Sequence, residues 1–190
     1  MELTGNTVLI TGGATGIGRS MAEYLLQRGN TVLICGRRQE KLDEARAACP
    51  SLHTFRCDVS REQERQKLLA YAEEHFPAMN FLINNAGIQR EADLTCGVQA
   101  LEGSEAELAT NLKAPIWLSV LFTPFLQGKR NAAILHVSSG LGFASDRFPE
   151  APVYSAAKAG LHAFAKAQRA QLAPLGVRVL EIIPPMVDTQ

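Results

Sequence analysis

Short apolar runs alternate with amphipathic segments along the chain, and this pattern predicts alternating strands and helices. The predicted strands cover residues 7–11, 31–35, 52–56, 81–84, 132–137 and 177–183. These runs are continuous and rich in Val, Ile and Leu, which is typical of parallel strands that are buried on both faces. The pattern therefore favours a parallel sheet inside the protein.

The segments between the runs have helical patterns. One helix is predicted to begin near Gly16 and to stop at Gly29, and two others cover residues 39–48 and 153–172. Ser60 with Gln63, and Ser104 with Glu107, are capping-box patterns that predict two further helix starts. Alternation of this kind predicts an α/β fold with a doubly wound, Rossmann-type sheet of six strands between two helical layers.

Size and charge bound the possible functions. A chain of 190 residues is most simply one domain, 1–190, and its 19 basic residues balance its 19 acidic residues. Neither nucleic acid nor an anionic membrane surface is expected as the main partner. No signal peptide or spanning segment is visible in the sequence. Four cysteines without a Cys-x-x-Cys motif indicate reduced thiols and a cytoplasmic protein.

Histidine spacing gives no reason to expect a metal site. The four histidines are scattered without the spacing of metal ligands. His136 lies within an apolar run, so we expect a hydrogen-bonded core residue there rather than a ligand.

A glycine-rich segment follows the first predicted strand. Gly12, Gly16 and Gly18 allow a tight turn and let the backbone approach a pyrophosphate, while the next helix supplies N–H groups. Thr15 and Ile17 lie in the same turn. The segment predicts a dinucleotide site, and the alternative is a turn that only packs a helix closely.

The end of the second predicted strand indicates which cofactor is used. The sequence there is Cys35-Gly36-Arg37-Arg38, with no carboxylate to hold a ribose 2′-hydroxyl. Two guanidinium groups instead match the geometry of a 2′-phosphate. NADP(H) is therefore favoured over NAD(H), with Arg37 first and Arg38 second as the phosphate ligand. The alternative is that both are solvated residues of a helix start.

Tyr154 and Lys158 are four residues apart in a predicted helix, so both side chains lie on one face. A tyrosine hydroxyl has a pKa of about 10, and a fixed ammonium group beside it is expected to lower that pKa. Such a pair can exchange a proton near neutral pH. Because Tyr-x-x-x-Lys is common by chance, its meaning depends on the motifs that precede it.

Those motifs occur in one order, with Asp58-Val59, Asn84-Asn85-Ala86-Gly87, Asn111 and Ser138-Ser139 between the glycine turn and Tyr154. In this order they resemble the short-chain dehydrogenase/reductase family over nearly the whole chain. Residues 31–37 and 137–141 also resemble its DltE-like branch. The resemblance implies an NADP-dependent oxidoreductase that transfers hydride between nicotinamide and a small carbonyl or alcohol substrate, as a homodimer or homotetramer.

The resemblance also implies roles for individual residues. Tyr154 would give or take the substrate proton, and Lys158 would lower the tyrosine pKa and bind the nicotinamide ribose. Ser139 would hold the carbonyl oxygen; Ser138 points the opposite way if the strand continues through both residues. Asn111 would anchor a proton-relay water. The alternatives are a locally satisfied serine and a structural amide.

Further residues are implied in cofactor binding. Asp58, beside Val59, would receive the adenine amino group, or would instead cap its loop. Asn85, Ala86 and Gly87 would line the adenosine and ribose region. Pro184 and Val187 would lie on the nicotinamide side.

Two departures from the family pattern stand at the C-terminal end. Pro185 takes the place of a usual glycine, and the chain stops at Gln190, before the usual substrate-covering segment and last strand. We therefore expect either a truncated sequence or a naturally short form. Two other functions stay open: a catalytically silent dinucleotide-binding regulator or scaffold, and a dehydratase or epimerase.

Apolar residues are expected at two surfaces of the protein. An apolar pocket wall near the tyrosine is expected from Leu141, Phe143, Ala144, Phe148, Pro149 and Val153. An interface between copies of the chain is expected from Trp117, Leu121, Leu161 and Phe164.

Overall fold

The computed structural model describes residues 3–185, which form a single six-stranded sheet. The sheet order is β3-β2-β1-β4-β5-β6, and each adjacent pair of strands is parallel. This order confirms the doubly wound fold predicted from the sequence. The strands are β1 (Thr7–Thr11), β2 (Thr31–Gly36), β3 (His53–Arg56), β4 (Phe81–Asn84), β5 (Ala133–Val137) and β6 (Arg178–Ile182).

Helices connect the strands and cover both faces of the sheet. Within the described part of the chain, no helix is long and apolar enough to cross a membrane. A π-helical turn, Ala109–Lys113, joins α4 to α5. The helices are α1 (Gly16–Leu26), α2 (Gln39–Ala48), α3 (Glu62–His75), α4 (Ser104–Leu108), α5 (Ala114–Leu126) and α6 (Pro152–Leu172), with 3-10 turns at Leu94–Leu101, Gly140–Gly142, Ser145–Arg147 and Ala173–Leu175.

Both predicted capping boxes are wrong, because the side chains make other contacts. Asp58 Oδ1 accepts hydrogen bonds from the Ser60 backbone N–H (3.0 Å) and hydroxyl (2.7 Å), so Ser60 closes a loop and α3 begins at Glu62. Helix α4 does begin at Ser104, but no side chain caps it. Glu107 instead accepts a hydrogen bond from the backbone of Arg90 (3.0 Å).

Alternate residues of the four central strands, β1, β2, β4 and β5, enter two separate cores. Leu9, Leu33 and Leu82 pack under α3, α5 and α6, whereas Val8 and Ile10 pack under α1 and α2. This arrangement follows from the two-residue period of a strand and explains why the central runs are largely apolar, whereas the edge strands β3 and β6 carry exposed polar residues.

Buried amides close the amino edge of the sheet. Asn80 Oδ1 accepts from the Thr7 backbone N–H (3.0 Å), and its Nδ2 donates to Asn6 Oδ1 (3.0 Å) and to the Arg130 carbonyl (2.8 Å). His136 in β5 is fully buried with its Nε2 2.8 Å from Gln168 Oε1, which confirms the prediction of a satisfied core histidine. The open groove lies at the opposite, carboxyl edge.

Candidate active site

The carboxyl ends of all six strands border one cleft of about 940 Å³. The residues predicted from separate motifs therefore share one space, as expected at the carboxyl edge of a doubly wound sheet. The predicted residues that line it are Gly12, Thr15, Gly16, Ile17, Gly18, Arg37, Arg38, Asp58, Val59, Asn85, Ala86, Gly87, Ser139, Tyr154, Lys158 and Pro184. Asn111 lies behind this lining, and Val187 lies outside the described residues.

The glycine turn is held tightly against the end of β4. Gly12 has a left-handed backbone (φ 64°), and Asn85 Nδ2 donates to the carbonyls of Thr11 (2.9 Å) and Gly12 (3.2 Å). A Cβ atom at Gly18 would collide with the Gly12 carbonyl and the Asn85 amide. The turn thus has no room for side chains, and the unpaired N–H groups of the first turn of α1 face the cleft.

The end of β2 presents two free cations. The Arg37 and Arg38 side chains are exposed, and neither makes a hydrogen bond or ion pair with any residue from 3 to 185. Gly36 beside them has space: a Cβ atom there would have Leu42 Cδ2 as its nearest neighbour, at 3.9 Å. The structure brings these guanidinium groups to the cleft without giving them a structural partner.

Asp58 both caps its loop and lines the cleft. Its Oδ1 is taken by Ser60, as described above, and Oδ2 lies 3.7 Å from Arg61 Nε. The capping alternative therefore accounts for one carboxylate oxygen. Val59 next to it is buried at the cleft wall.

Ser139, not Ser138, faces Tyr154. The Ser138 hydroxyl donates to the Ile182 carbonyl (3.3 Å), on the β6 side. Ser139 accepts from the Leu141 backbone N–H (3.2 Å), and its hydroxyl acts to lower the pKa of the Tyr154 side chain, which lines the same cleft. The opposite orientation of the two serines matches the alternation of an extended strand end.

Burial raises the pKa of Tyr154 above its ordinary value. The hydrogen bond with Ser139 acts in the lowering direction, and the negative charge of Glu107 acts in the raising direction. The expectation that Lys158 holds the tyrosine pKa below its usual value is therefore wrong for this structure. The physical reason is that removing the ring from water favours its neutral form more than the neighbouring groups favour the phenolate.

Lys158 is almost completely buried, and its ammonium has a fixed position. Its Nζ donates to the Val137 carbonyl at the end of β5 (2.8 Å) and lies 5.6 Å from the centre of the Tyr154 ring. Burial lowers the pKa of Lys158 to about 8. The side chain therefore carries a charge at neutral pH and loses it slightly above neutrality.

Asn111, in the π-helical turn, is fully buried and binds the loop after β4. Its Oδ1 accepts from the Ile88 backbone N–H (2.9 Å), and its Nδ2 donates to the Ile88 carbonyl (2.6 Å). A Cβ atom at Gly87 would lie 3.3 Å from Asn111 Oδ1 and 3.7 Å from Lys158 Nζ. The amide thus has the structural contacts of the alternative interpretation, and it also borders the same small space as the ammonium.

Some residues at the substrate end were missed. Gln89 and Arg147 line the cleft, and nothing in their local sequence distinguishes them from ordinary loop residues. Of the expected apolar wall, Leu141, Ala144 and Phe148 line the cleft. Phe143 packs its ring against His162 instead, with ring centres 4.5 Å apart.

Glu107 was also missed as a site neighbour, because its spacing from Ser104 matched a capping box. The signal that could have found it is its position four residues before Asn111 in a helical segment, which places both on one face.

A doubly wound sheet with a glycine turn after β1 and a Ser–Tyr–Lys set facing it is typical of nucleotide-dependent oxidoreductases. The family model for short chain dehydrogenases matches residues 6–190. The chain belongs to the short-chain dehydrogenase/reductase family, a family of NAD(P)-dependent oxidoreductases, and to its DltE-like branch.

Known relatives cover the whole chain. It is 48% identical to the uncharacterized oxidoreductase DltE of Bacillus subtilis (strain 168), over 100% of this chain and 74% of that protein. A solved short chain dehydrogenase/reductase family protein has a TM-score of 0.88 and 27% identity, covering 100% of this chain and 77% of its own. A family member of unknown function from Caenorhabditis elegans, solved with cofactor, has a TM-score of 0.87 and 28% identity, covering 98% and 72%.

Proposed function

We propose that this protein is an NADP-dependent oxidoreductase that transfers hydride between nicotinamide and the carbonyl or alcohol group of a small substrate. The observation that carries the proposal is the meeting of Ser139, Tyr154 and Lys158 at one end of the cleft whose other end is the glycine turn. The four cysteines form no disulfide, which supports a location in the reducing cytoplasm.

The residues present fit a nicotinamide dinucleotide. The turn at Gly12 and Gly18 leaves no room for side chains, which suits a pyrophosphate against bare backbone, and the side chains of Arg37 and Arg38 have no partner among residues 3–185. When bound, the dinucleotide supplies or accepts the hydride. The protein contributes binding, orientation and the movement of a proton.

Tyr154 is the proton donor of the proposed reduction. Its hydroxyl is protonated at neutral pH, so it can give its proton to the carbonyl oxygen of the substrate as hydride arrives and negative charge develops there. In oxidation the same atom takes the proton back. Ser139, which lines the cleft with Tyr154, donates to the same substrate oxygen and fixes its position.

Lys158 and Asn111 support this exchange. The ammonium uses one of its three N–H groups on Val137, which leaves two for the ribose hydroxyls or a water. Asn111 borders the same space from the other side of Gly87, and there it helps to hold a water that passes protons to Lys158.

Tyr154→Phe is expected to lower the carbonyl reduction rate by at least about a hundredfold, since a positioned general acid contributes roughly 10²–10⁴. NADPH affinity should not change, because the ring stays in place. The reduction rates of the parent and of Tyr154→Phe are measured with a panel of carbonyl substrates and NADPH, by following the nicotinamide absorbance. Tyr24→Phe, an exposed tyrosine of α1, is the control. Dinucleotide binding by a parent protein without turnover would favour the silent regulator instead.

NADPH affinity is expected to decrease as the pH rises through about 8, because Lys158 loses its charge there. Tyr154 does not interfere, since its raised pKa keeps it neutral over the same range. Fluorescence titrations between pH 7 and about 9.5 measure the effect. Lys158→Met should bind weakly at every pH, and Lys166→Met, an exposed residue of the same helix, should behave as the parent does. A parent affinity that stays constant across this range would remove Lys158 from the cofactor site.

NADPH should bind about tenfold to a hundredfold more tightly than NADH at low salt, and the ratio should shrink as salt is added. A charge-assisted hydrogen bond to the 2′-phosphate contributes roughly 1.5–3 kcal/mol. Gly36→Asp with Arg37→Ile should reverse the preference, and the space around Gly36 accommodates the new side chain. Arg46→Ile, an exposed arginine of α2 outside the cleft, is the control. Equal dissociation constants for the two dinucleotides would show that neither arginine reads the 2′ position.

We also propose that the protein forms a homodimer or homotetramer through α5. Trp117 and Val120 are exposed there, at 47% and 65%. Leu161, expected at this interface from the sequence, is instead buried in the core of its own chain, so it is not available to a partner.

Sedimentation at micromolar concentration is expected to show an oligomer that Trp117→Glu converts to monomer. A carboxylate introduced into an apolar contact must lose its water on association, and this cost opposes the contact. Tyr24→Glu on α1 should leave the oligomer intact. A parent that sediments as a monomer would contradict the proposal.

A further inference from the structure

Glu107 is a buried ionisable group that the proposed mechanism does not use. Its side chain is 1% exposed, and burial raises the pKa of its carboxyl group. Carboxylates are almost never fully buried unless they are paired or hydrogen-bonded. The partner of Glu107 is the backbone N–H of Arg90, 3.0 Å from Oε1. This partner lies in the loop after β4, so the contact joins α4 to the cleft wall.

Glu107 and Asn111 bind the same loop at two points. Asn111 takes both backbone groups of Ile88, and Glu107 takes the N–H of Arg90 two residues further along. Gln89 stands between these anchor points, and both Ile88 and Gln89 line the cleft. The position of this stretch of wall therefore depends on two side chains of one helical segment.

The side chain of Arg90 also lies back against α4. Gly103, just before that helix, has a left-handed backbone (φ 79°), and a Cβ atom there would come within 2.9 Å of Arg90 Cζ. Arg90 is thus held by its backbone at Glu107, and its guanidinium lies close to Gly103. Gln89 lines the cleft, whereas Arg90 does not.

The charge of Glu107 reaches the proposed proton donor. Lys158 on α6 and Glu107 on α4 are the charged groups near Tyr154. Arg90, in the loop after β4, is the charged group near Glu107. The negative charge of Glu107 acts to raise the pKa of Tyr154, because it disfavours the phenolate.

We propose that Glu107 is a positioning residue for the substrate end of the cleft: it holds the loop of residues 88–90 so that Gln89 faces the substrate beside Tyr154. This inference rests on the proposed reductase function. It differs from a purely structural role, because it places the effect of Glu107 on substrate engagement rather than on cofactor binding.

Two variants separate the geometry of Glu107 from its charge. Glu107→Ala removes the acceptor for Arg90, and we expect KM for the carbonyl substrate to rise about tenfold while the NADPH dissociation constant is unchanged. Glu107→Gln keeps an acceptor oxygen but removes the charge, so KM should stay near the parent value. Glu105→Ala and Glu105→Gln, at an exposed position of the same helix, are the matched controls.

A titration of tyrosine absorbance provides a readout that does not depend on turnover. Subtracting the titration curve of a matched Tyr154→Phe protein isolates Tyr154, and its pKa is expected to fall in both Glu107 variants and in neither Glu105 variant. The sign follows from the loss of a neighbouring negative charge, which had favoured the neutral phenol. Lys158 is present in all the proteins compared, so its own titration does not alter the difference.

The outcomes decide between the possibilities. A Glu107→Ala protein with a lower melting temperature but unchanged KM and tyrosine titration would overturn the proposal and leave a structural residue. An equal loss of NADPH affinity would also overturn it, since the cofactor end would then be affected.

A parent without turnover would refute the proposed function itself. In that case faster amide hydrogen exchange at Arg90 in Glu107→Ala would still show that Glu107 holds the loop, and unchanged exchange would refute it.

Discussion

The alignment of six carboxyl strand ends along one edge of the sheet is the constraint on which the whole site depends. Because both faces of the sheet are covered by helices, strand side chains enter the core, and polar chemistry is left to the strand ends. Each strand accordingly gives way at its carboxyl end to residues that line the same cleft. Buried amides join the strands at the other edge. The amino edge therefore contributes to the stability of the sheet, and the carboxyl edge holds the candidate site.

Burial acts on the two titrating residues of the site in opposite directions. It raises the pKa of Tyr154 and lowers the pKa of Lys158, because in each case water loss favours the neutral form. Near neutral pH the tyrosine is still a full proton donor and the lysine is still a cation. The hydroxyl of Ser139 and the charge of Glu107 act on the pKa of Tyr154 in opposite directions, and the carbonyl of Val137 fixes the position of the Lys158 ammonium.

The sequence predicts the features that depend on local periodicity. The strands lie within one residue of the predicted runs, and the central strands are the most apolar of them because both faces of each are buried. The alternation of side chains along a strand also predicted that Ser138 and Ser139 point in opposite directions. The errors concern tertiary contacts: the pKa direction of Tyr154 reflects desolvation, Leu161 packs into its own core, and the partner of Glu107 lies 17 residues earlier in the chain. The spacing of residues along the chain does not show which residues, distant in sequence, come together in the fold.

The π-helical turn Ala109–Lys113 restricts how this part of the chain can vary in length during evolution. Each residue of an α-helix turns the backbone by about 100°, and each residue of the wider π-helical turn by less. An insertion or deletion between residues 107 and 111 would therefore rotate one anchor point away from the loop while leaving the other in place. Surface loops absorb such changes easily. In this segment a change in length would separate two contacts that no single compensating substitution restores, so we expect drift here to proceed by replacement of residues and not by gaps.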